Sequence, residues 1–377
     1  MTSILMITKY FPPVSYGGTE KYVEVISQKL AEKGLTVTIL GPSTDKNITY
    51  EQNGPIQICR TPLNHIKFID FSVPMKNCLK SLSYDVAHFN TFSTLCSFLR
   101  PALSSPYVIT THGFFWKKPA ITNPINYFFK VKILKENFQK SNKIFCVSKK
   151  DYENVTNMFG YTPSKLYYTP NGVDLKKFSN HKKDKTKTKY GLENKILITQ
   201  VGRFAPQKGQ HLLLDALKVM PKKTLEKSTT ILAGYPFDNQ YFLMLEQTIK
   251  RNNLEKDVKL WPKINDNLLL DLYTMTDIFV LPSLIEGLPL TLLEAWASKC
   301  AVIVTNVGGL PYVVHDQIDG CIVPPNNFVV LSQKIAELVN NDEKRSLFSE
   351  KGFERAKNEF DLDNNINFLV KQYKELL

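Results

Sequence analysis

The chain has 377 residues, 43% of them hydrophobic and 11% aromatic, which suits two globular domains and excludes a disordered or fibrous protein. No apolar run approaches the roughly 18 residues of a membrane-spanning helix, so we expect a cytoplasmic chain. The formal net charge of +13 lies mainly in residues 1–190 and favours an anionic partner. An anionic membrane surface fits better than nucleic acid, because no zinc-finger spacing, RNA-binding aromatic motif or arginine-rich tract accompanies the lysines. A solvated lysine-rich surface without a partner remains an alternative.

Short apolar segments alternate with helical patterns along the whole chain, which predicts an α/β fold with parallel sheets covered by helices. The predicted strands are residues 4–8, 36–40, 86–89, 107–110, 143–148, 196–202, 229–234, 277–283 and 301–305. The polar, lysine-rich segment 179–195 separates the two series and is expected to be an interdomain linker. The predicted domains are therefore 1–180 and 181–359.

The loop after the first predicted strand contains Gly17 and Gly18 and leads into a helical apolar stripe of Val23, Ile26 and Leu30. Glycines directly before a helix expose its free N–H groups to an anion. This loop is a candidate phosphate contact, although a simple turn would have the same sequence.

The segment 126–143 combines an apolar stripe with five lysines on its other faces. The stripe consists of Tyr127, Val131, Leu134 and Phe138. A basic amphipathic helix of this kind suits peripheral contact with an anionic membrane. The same stripe would equally serve to pack the helix on the sheet of its own domain.

In the second half, "VGRFAPQKG" at 201–209 repeats the strand–glycine–helix arrangement and adds Arg203 and Lys208. Arginine offers a planar fork to phosphate oxygens and lysine a point charge, so the pair suits a diphosphate.

The stretch "PSLIEGLPLTLLE" at 282–294 places Glu286 in a loop and Glu294 about one turn into the following helix. Carboxylates accept hydrogen bonds from paired hydroxyl groups, so the two suit a polyol such as a sugar and a ribose. They are not placed like the facing carboxylates of a glycoside hydrolase.

Six cysteines are scattered without a C-x-x-C pair, so we expect buried thiols and neither a disulfide framework nor a zinc site. The only D-x-D string lies at 361–363, in the C-terminal tail, and no metal site is assigned.

"EGLPLTLLEA" at 286–295 is similar to the E-x7-E signature of the retaining GT-B glycosyltransferases, specifically family four. Six further segments occur in the order typical of that family: "FPPVSYGGTEKYV", "THG" at 111–113, "VSKK" at 147–150, "PNGVDLKKF" at 170–178, "VGRFAPQKG", and "AVIVTNVGGLP" at 301–311. The resemblance covers nearly the whole chain.

The resemblance implies two Rossmann-like domains facing across a cleft, with the acceptor held by the first and the nucleotide sugar mainly by the second. It implies a retaining transferase of the hexosyltransferase type that uses a UDP- or GDP-sugar. The acceptor would be a glycan or a lipid-linked sugar, in cell-surface polysaccharide or glycolipid synthesis. Neither a metal nor another cofactor is expected. In the family pattern the C-terminal helix, here 360–377, packs back on the first domain.

By the same resemblance the donor site lies mostly in the second domain, where Arg203 and Lys208 would hold the diphosphate and Glu294 the ribose. Glu286 would contact the transferred sugar and take part in catalysis. The adjacent Gly287 and Leu288 are also assigned to donor binding.

From the first domain, Gly17 and Gly18 would approach the phosphates, and His112 would lie near the reacting centre as a second catalytic residue.

Three departures from the family pattern affect the donor. Tyr312 stands where many relatives have an acidic residue, and Asn90 stands where a histidine is frequent. Pro262 replaces a common glycine, so Trp261 and Lys263 are the expected base-pocket residues. A sugar-nucleotide epimerase or phosphorylase of the same fold, or a catalytically idle nucleotide- or glycan-binding protein, are the alternatives to a transferase.

Overall fold

The computed structural model describes residues 2–66, 69–113, 124–160, 162–179 and 181–377, and for Ile66 and 124–130 it describes the backbone alone. The chain forms two compact units. The first unit comprises Met1–Asn171 and Asp363–Leu377, and the second comprises Gly172–Leu362.

The described part of the first unit contains one large sheet and one small hairpin. The strands are β1 Ser3–Ile7, β2 Thr36–Pro42, β3 Thr49–Asn53, β4 Ile56–Thr61, β5 Asn64–Ile66, β6 Ile69–Phe71, β7 Val86–Phe89, β8 Tyr107–Thr111, β9 Lys143–Cys146 and β10 Leu166–Tyr168. The order in the large sheet is β10-β9-β8-β7-β1-β2-β4-β3, and only the edge pair β3–β4 is antiparallel. β5 and β6 pair with each other as an antiparallel hairpin. The chain order reverses between β1 and β7, where a parallel sheet of this type opens a crevice at its carboxyl edge.

Helices connect these parallel strands. They are α1 Gly18–Glu32, α2 Val73–Ser81, α3 Thr94–Leu99, α4 Pro124–Lys140 and α5 Lys149–Phe159, with a short 3-10 turn at Arg100–Ala102. The apolar stripe predicted for α1 is confirmed, because Val23, Ile26 and Leu30 are all buried.

The second unit contains six parallel strands in the order β13-β12-β11-β14-β15-β16. Their bounds are β11 Ile196–Val201, β12 Ser228–Gly234, β13 Val258–Pro262, β14 Ile278–Leu281, β15 Ala301–Thr305 and β16 Cys321–Val323. This is the 3-2-1-4-5-6 order of a Rossmann sheet, with its switch point between β11 and β14. The prediction of an α/β fold with parallel sheets is confirmed.

Helices of the second unit cover this sheet. They are α6 Leu175–Ser179, α7 Lys183–Lys189, α8 Gln210–Lys218, α9 Lys222–Leu225, α10 Asn239–Arg251, α11 Asp266–Met275, α12 Leu290–Ala297, α13 Phe328–Asn340 and α14 Asp342–Glu359, with 3-10 turns at Pro206–Lys208 and Leu310–Tyr312. The last helix, α15 Leu362–Lys374, lies almost wholly in the first unit, where the Tyr373 hydroxyl contacts His88 Nδ1 at 2.6 Å.

The change of unit comes at Asn171–Gly172 and at Leu362–Asp363, near the expected boundaries of 180 and 359. Backbone hydrogen bonds explain the position. Val173 N donates to Phe360 O at 2.8 Å, and Leu362 N donates to Val173 O at 3.2 Å. Both segments therefore belong to the second unit.

The expected linker at 179–195 is wrong, because α7 packs on the second unit. Lys187 is buried, and its Nζ donates to an Asp277 carboxylate oxygen and to Lys195 O. Lys183 pairs with the same carboxylate at 3.2 Å. The lysines that suggested a solvated linker are partly ion-pair partners of one aspartate.

All six cysteines are free and buried, as the sequence predicted. Among the described residues, no helix is both long and apolar enough to cross a membrane. In α4, Phe138 is fully buried in the core of the first unit and Leu134 packs against that core. The side chain of Tyr127, the first residue of the predicted membrane stripe, lies outside the described residues.

We expect Asp277→Ala to lower the unfolding free energy of the second unit by about 3 kcal/mol, because it leaves the buried Lys187 ammonium without its counter-charge. The substitution also removes the acceptor of Leu197 N, at 2.8 Å. Urea unfolding measures the loss. The matched control is Asp184→Ala on the exposed side of α7, which should change stability by less than about 0.5 kcal/mol. Equal effects of the two substitutions would show that α7 is not anchored through Asp277.

Candidate functional site

The loop after β11 carries two of the predicted phosphate-binding side chains, Arg203 and Lys208. Gln200 Nε2 donates to Lys208 O at 2.6 Å, and Gln210 Nε2 donates to Arg203 O at 2.9 Å. Both glutamines are buried. The two glutamines hold the backbone carbonyls of both cationic residues. No periodicity or motif in the sequence pointed to these glutamines.

Gly209 joins this loop to α8 and allows the chain to approach the loop after β14. Its φ is +69°, and a Cβ at this position would lie 2.1 Å from Pro282 O. Leu284 N also donates to Gln207 O at 2.8 Å. Because Gly209 has no side chain, it cannot cap α8 itself. The Tyr241 hydroxyl accepts a hydrogen bond from one N–H group of the first turn at 3.1 Å. The positive end of the helix dipole still favours an anion there.

The structure brings Lys208 and Glu286 together, although they are 78 residues apart in sequence. Lys208 Nζ donates to Glu286 Oε1 at 2.6 Å, and Ser283 Oγ donates to the same oxygen at 2.7 Å. Glu286 is only 6% exposed. No donor among the described residues lies on Oε2. The geometry thus gives a buried carboxylate with one oxygen occupied and one available for a hydroxyl group.

The loop after β15 holds the backbone of Glu286. Gly309 N donates to Glu286 O at 3.2 Å, and a Cβ on Gly308, whose φ is +56°, would lie 1.7 Å from that same carbonyl oxygen. Tyr312, the departure from the acidic residue of many relatives, follows in the adjoining 3-10 turn.

Arg203 lies over the ring of Phe237, with its Cζ 4.7 Å from the ring centroid. Phe237 is 62% exposed. Within the described chain no carboxylate forms an ion pair with Arg203. A guanidinium stacked on an aromatic face keeps its in-plane N–H donors available for phosphate oxygens.

Glu294 lies on α12 and accepts a 2.8 Å hydrogen bond from the hydroxyl of the buried Tyr273 at Oε2. Burial, and then the adjacent Glu294 carboxylate, raise the Tyr273 pKa well above its ordinary value, which keeps the hydroxyl a donor. Gly287 is half-buried in the loop before the helix, whereas Leu288 is buried in the core of the unit. The Leu288 side chain thus packs in the core, and a role of this residue in donor binding stays a prediction.

The expected base-pocket residues lie at the end of β13. Trp261 is half-buried against the core, 5.7 Å from the ring of Tyr190. Lys263 is exposed and has a φ of +57°, and its N donates to Gly234 O at 2.8 Å. Their role in base recognition stays a prediction.

In the first unit, Gly17 is the N-cap residue of α1 and Gly18 its first residue. Glu20, which the sequence reasoning missed, folds back over this turn: it is buried, it accepts a hydrogen bond from Ser15 Oγ, and its Oε2 would lie 2.8 Å from a Cβ at Gly17. A carboxylate of the chain therefore already faces the helix terminus expected to approach phosphate.

His112 follows β8 directly. Its Nε2 lies 3.3 Å from the Oδ1 of Asn90, a residue that follows β7. The ring centroids of His112 and Tyr22 are 4.6 Å apart in an edge-to-face arrangement. Burial lowers the pKa of His112 to about 3, so the imidazole is neutral near pH 7. A neutral ring hydrogen-bonded to an amide oxygen at Nε2 presents its Nδ1 lone pair as an acceptor.

Comparison with known families decides the class of protein. Residues 182–355 match the family described as glycosyl transferases group 1, and residues 16–177 match the family described as glycosyltransferase family 4. The chain belongs to the GT-B glycosyltransferases of family 4. This assignment favours sugar transfer over the epimerase and idle-binder alternatives.

Several relatives of this glycosyltransferase match most or nearly all of its length. An uncharacterised glycosyltransferase of Methanocaldococcus jannaschii is 28% identical over 393 residues, which cover 99% of this chain and 98% of that protein. An Escherichia coli enzyme named UDP-Gal:alpha-D-GlcNAc-diphosphoundecaprenol alpha-1,3-galactosyltransferase is 24% identical over 355 residues, which cover 88% and 89%. The structure of sucrose-phosphate synthase from Thermosynechococcus elongatus shares the fold, with a TM-score of 0.83, 20% identity and coverage of 100% and 99%. The protein is thus a glycosyltransferase related to enzymes of polysaccharide and glycolipid synthesis.

We expect Gly209→Ala to lower the unfolding free energy of the second unit by about 3 kcal/mol, because the new methyl group would overlap Pro282 O in addition to straining a positive φ. Urea unfolding measures the loss. Gly191→Ala is the matched control, since its φ is +65° but no atom lies within 4 Å of the added Cβ. That control should cost about 1 kcal/mol. Similar losses in both variants would mean that the close approach at Pro282 is not a constraint.

Proposed function

We propose that this glycosyltransferase transfers a sugar from a UDP- or GDP-sugar to a glycan or lipid-linked acceptor, with retention of the anomeric configuration. The observation that carries the proposal is the meeting of Lys208, Ser283 and Glu286 at the switch point between β11 and β14. Ligands of Rossmann-type sheets bind outside the carboxyl ends of the strands at this point.

The diphosphate of the donor would lie against Arg203, Lys208 and the N-terminus of α8. Negative charge grows on this leaving group as the glycosidic bond breaks, and preorganised donors stabilise that charge most in the transition state. Removing one such donor costs on the order of 3 kcal/mol. These groups supply the stabilisation without a metal ion, which is part of the proposal.

Lys208 can serve both the carboxylate and the phosphate. An ammonium group has three N–H donors, so one bond to Glu286 leaves two for phosphate oxygens. Glu286 Oε2 would then accept a hydroxyl proton of the transferred sugar, and Glu294 would accept from the ribose. The cation and the carboxylate of one ion pair would thus contact neighbouring parts of the same donor.

The first unit would bind the acceptor, with His112 near the reacting centre as a hydrogen-bond acceptor. The Escherichia coli relative is named for a UDP-Gal donor and a diphosphoundecaprenol-linked acceptor, and this supports a nucleotide-sugar donor and a lipid-linked acceptor here. Its diphosphate-bearing lipid also suits the cationic charge of residues 1–190.

We expect UDP or GDP, and their sugar conjugates, to raise the melting temperature with concentration, because a ligand that binds only the native state stabilises it. Arg203→Ala should remove this response, and Glu286→Gln should lower transfer at least about hundredfold. Thermal shift and sugar-transfer assays with the full chain measure the two effects. Arg251→Ala is the matched control, an exposed arginine of the same unit at the end of α10. No response to any nucleotide, or a fully active Glu286→Gln enzyme, would refute the donor site.

Peripheral contact with an anionic membrane at the cytoplasmic face is a second part of the proposal. In the described part of α4 the apolar residues Leu134 and Phe138 pack inward, whereas Lys132 and Lys140 are exposed. The contact would therefore be electrostatic, with each lysine near an anionic surface contributing about 1 kcal/mol.

We expect the protein to float with vesicles containing phosphatidylglycerol at low salt and not with neutral phosphatidylcholine vesicles. Lys132→Glu and Lys140→Glu should each weaken binding about fivefold, since the attraction of each lysine is lost. Lys222→Glu and Lys223→Glu, which alter exposed lysines of the second unit, are the controls. Absence of flotation at low salt would rule out the membrane contact.

A further inference from the structure

Ser283 is a fully buried polar residue between β14 and Glu286, and no motif assigns it a role. Its relative exposure is 0%, and its Oγ donates to Glu286 Oε1 at 2.7 Å. Most buried serine hydroxyls hydrogen-bond to the backbone. The hydroxyl of Ser283 instead contacts the carboxylate of the site.

The backbone of Ser283 is itself fixed by the neighbouring strand. Thr305 Oγ1 donates to Ser283 O at 2.5 Å and lies 3.4 Å from Leu281 O. Thr305 is the last residue of β15 and is buried. Hydrogen bonds to the neighbouring strand therefore fix the position of the serine hydroxyl. The ammonium group of Lys208, at the end of a long side chain, is fixed less firmly.

The two hydrogen-bond donors on Glu286 Oε1 differ in how firmly they fix the orientation of the carboxylate. The terminal torsion angle of a glutamate has a broad, roughly two-fold distribution. A contact from a neighbouring group is therefore needed to fix the orientation of the two carboxylate oxygens. Lys208 is a flexible side chain whose ammonium can follow a rotating carboxylate. Only the Ser283 hydroxyl, on a rigid backbone, defines the orientation.

We propose that Ser283 is a positioning residue that orients the Glu286 carboxylate, with Thr305 supporting it, so that Oε2 meets a hydroxyl of the transferred sugar. This inference rests on the proposed contact between Glu286 and that sugar. Its consequence is selective: the sugar moiety of the donor loses a contact when the serine hydroxyl is removed, while the nucleotide moiety does not.

The test is the affinity of the full chain for UDP and for UDP-galactose, or for GDP and GDP-mannose if the nucleotide panel selects guanosine, by titration calorimetry. Ser283→Ala should change the Kd of the nucleotide by less than about twofold and raise the Kd of the nucleotide sugar about tenfold. The isosteric Thr305→Val should act in the same direction, about threefold, because it only loosens the support of the serine.

Ser228→Ala is the matched control. Ser228 is a buried serine of the same sheet, but its hydroxyl contacts only backbone carbonyls, at the opposite end of the strands. This control should lose stability like Ser283→Ala and keep both affinities.

Equal weakening of nucleotide and nucleotide sugar in Ser283→Ala would reveal a merely structural serine and overturn the inference. Unchanged affinities for both would overturn it as well. Glu286→Gln separates this failure from a failure of the proposed function. If Glu286→Gln weakens the nucleotide sugar and Ser283→Ala does not, only the positioning role is lost. If neither does, the assignment of Glu286 to the sugar is lost too.

Discussion

The Lys208–Glu286 ion pair joins the loops after β11 and β14, and buried polar residues of these loops contact the pair or hold its backbone. In a parallel sheet the loops that follow neighbouring strands meet at the carboxyl edge, and here the loops after β11 and β14 lie side by side. A carboxylate that is only 6% exposed needs a counter-charge, because an unpaired buried charge is strongly unfavourable. The ion pair therefore stabilises the buried carboxylate in the free protein and holds both groups at the proposed donor position.

The close approach that permits this pair depends on glycines. The loops after β11, β14 and β15 pass one another at distances that exclude a Cβ at Gly209 and at Gly308. Buried polar side chains complete the arrangement: Gln200 and Gln210 hold the first loop, and Ser283 and Thr305 the second. Hydrogen bonds from uncharged buried residues thus fix the positions of the charged groups.

Much of this was predictable from the sequence, because strands buried on both faces give continuous apolar runs. β7 and β15 occur at the predicted residues, and the loops bearing Arg203, Lys208 and Glu286 follow directly from strand ends. The predicted strands do not include β3, β4, β10, β13, β16 or the β5–β6 hairpin, since strands that are short or contain polar residues lack such runs. Ser283 and Gln210 were missed for another reason: one buried hydrogen bond leaves no periodic pattern. The lysines of α7 suggested a linker because their ion-pair partners, Asp271 and Asp277, lie about 80 to 90 residues away in the sequence.

The two units differ in the charge that surrounds the helix N-terminus expected to bind an anion. At α1 the carboxylate of Glu20 already lies over Gly17, so a phosphate would meet a negative charge there. At α8 the N-cap residue Gly209 carries no side chain, and the loop before the helix holds two cations, of which Glu286 neutralises one. Arg203, stacked on Phe237, supplies the unneutralised positive charge. A diphosphate would gain Coulomb attraction from that excess charge and could accept from the two remaining N–H donors of Lys208, whereas a neutral sugar gains no such attraction. This charge balance would favour binding a donor through its diphosphate. In the proposed site, the Glu286 carboxylate would then distinguish the sugar attached to it.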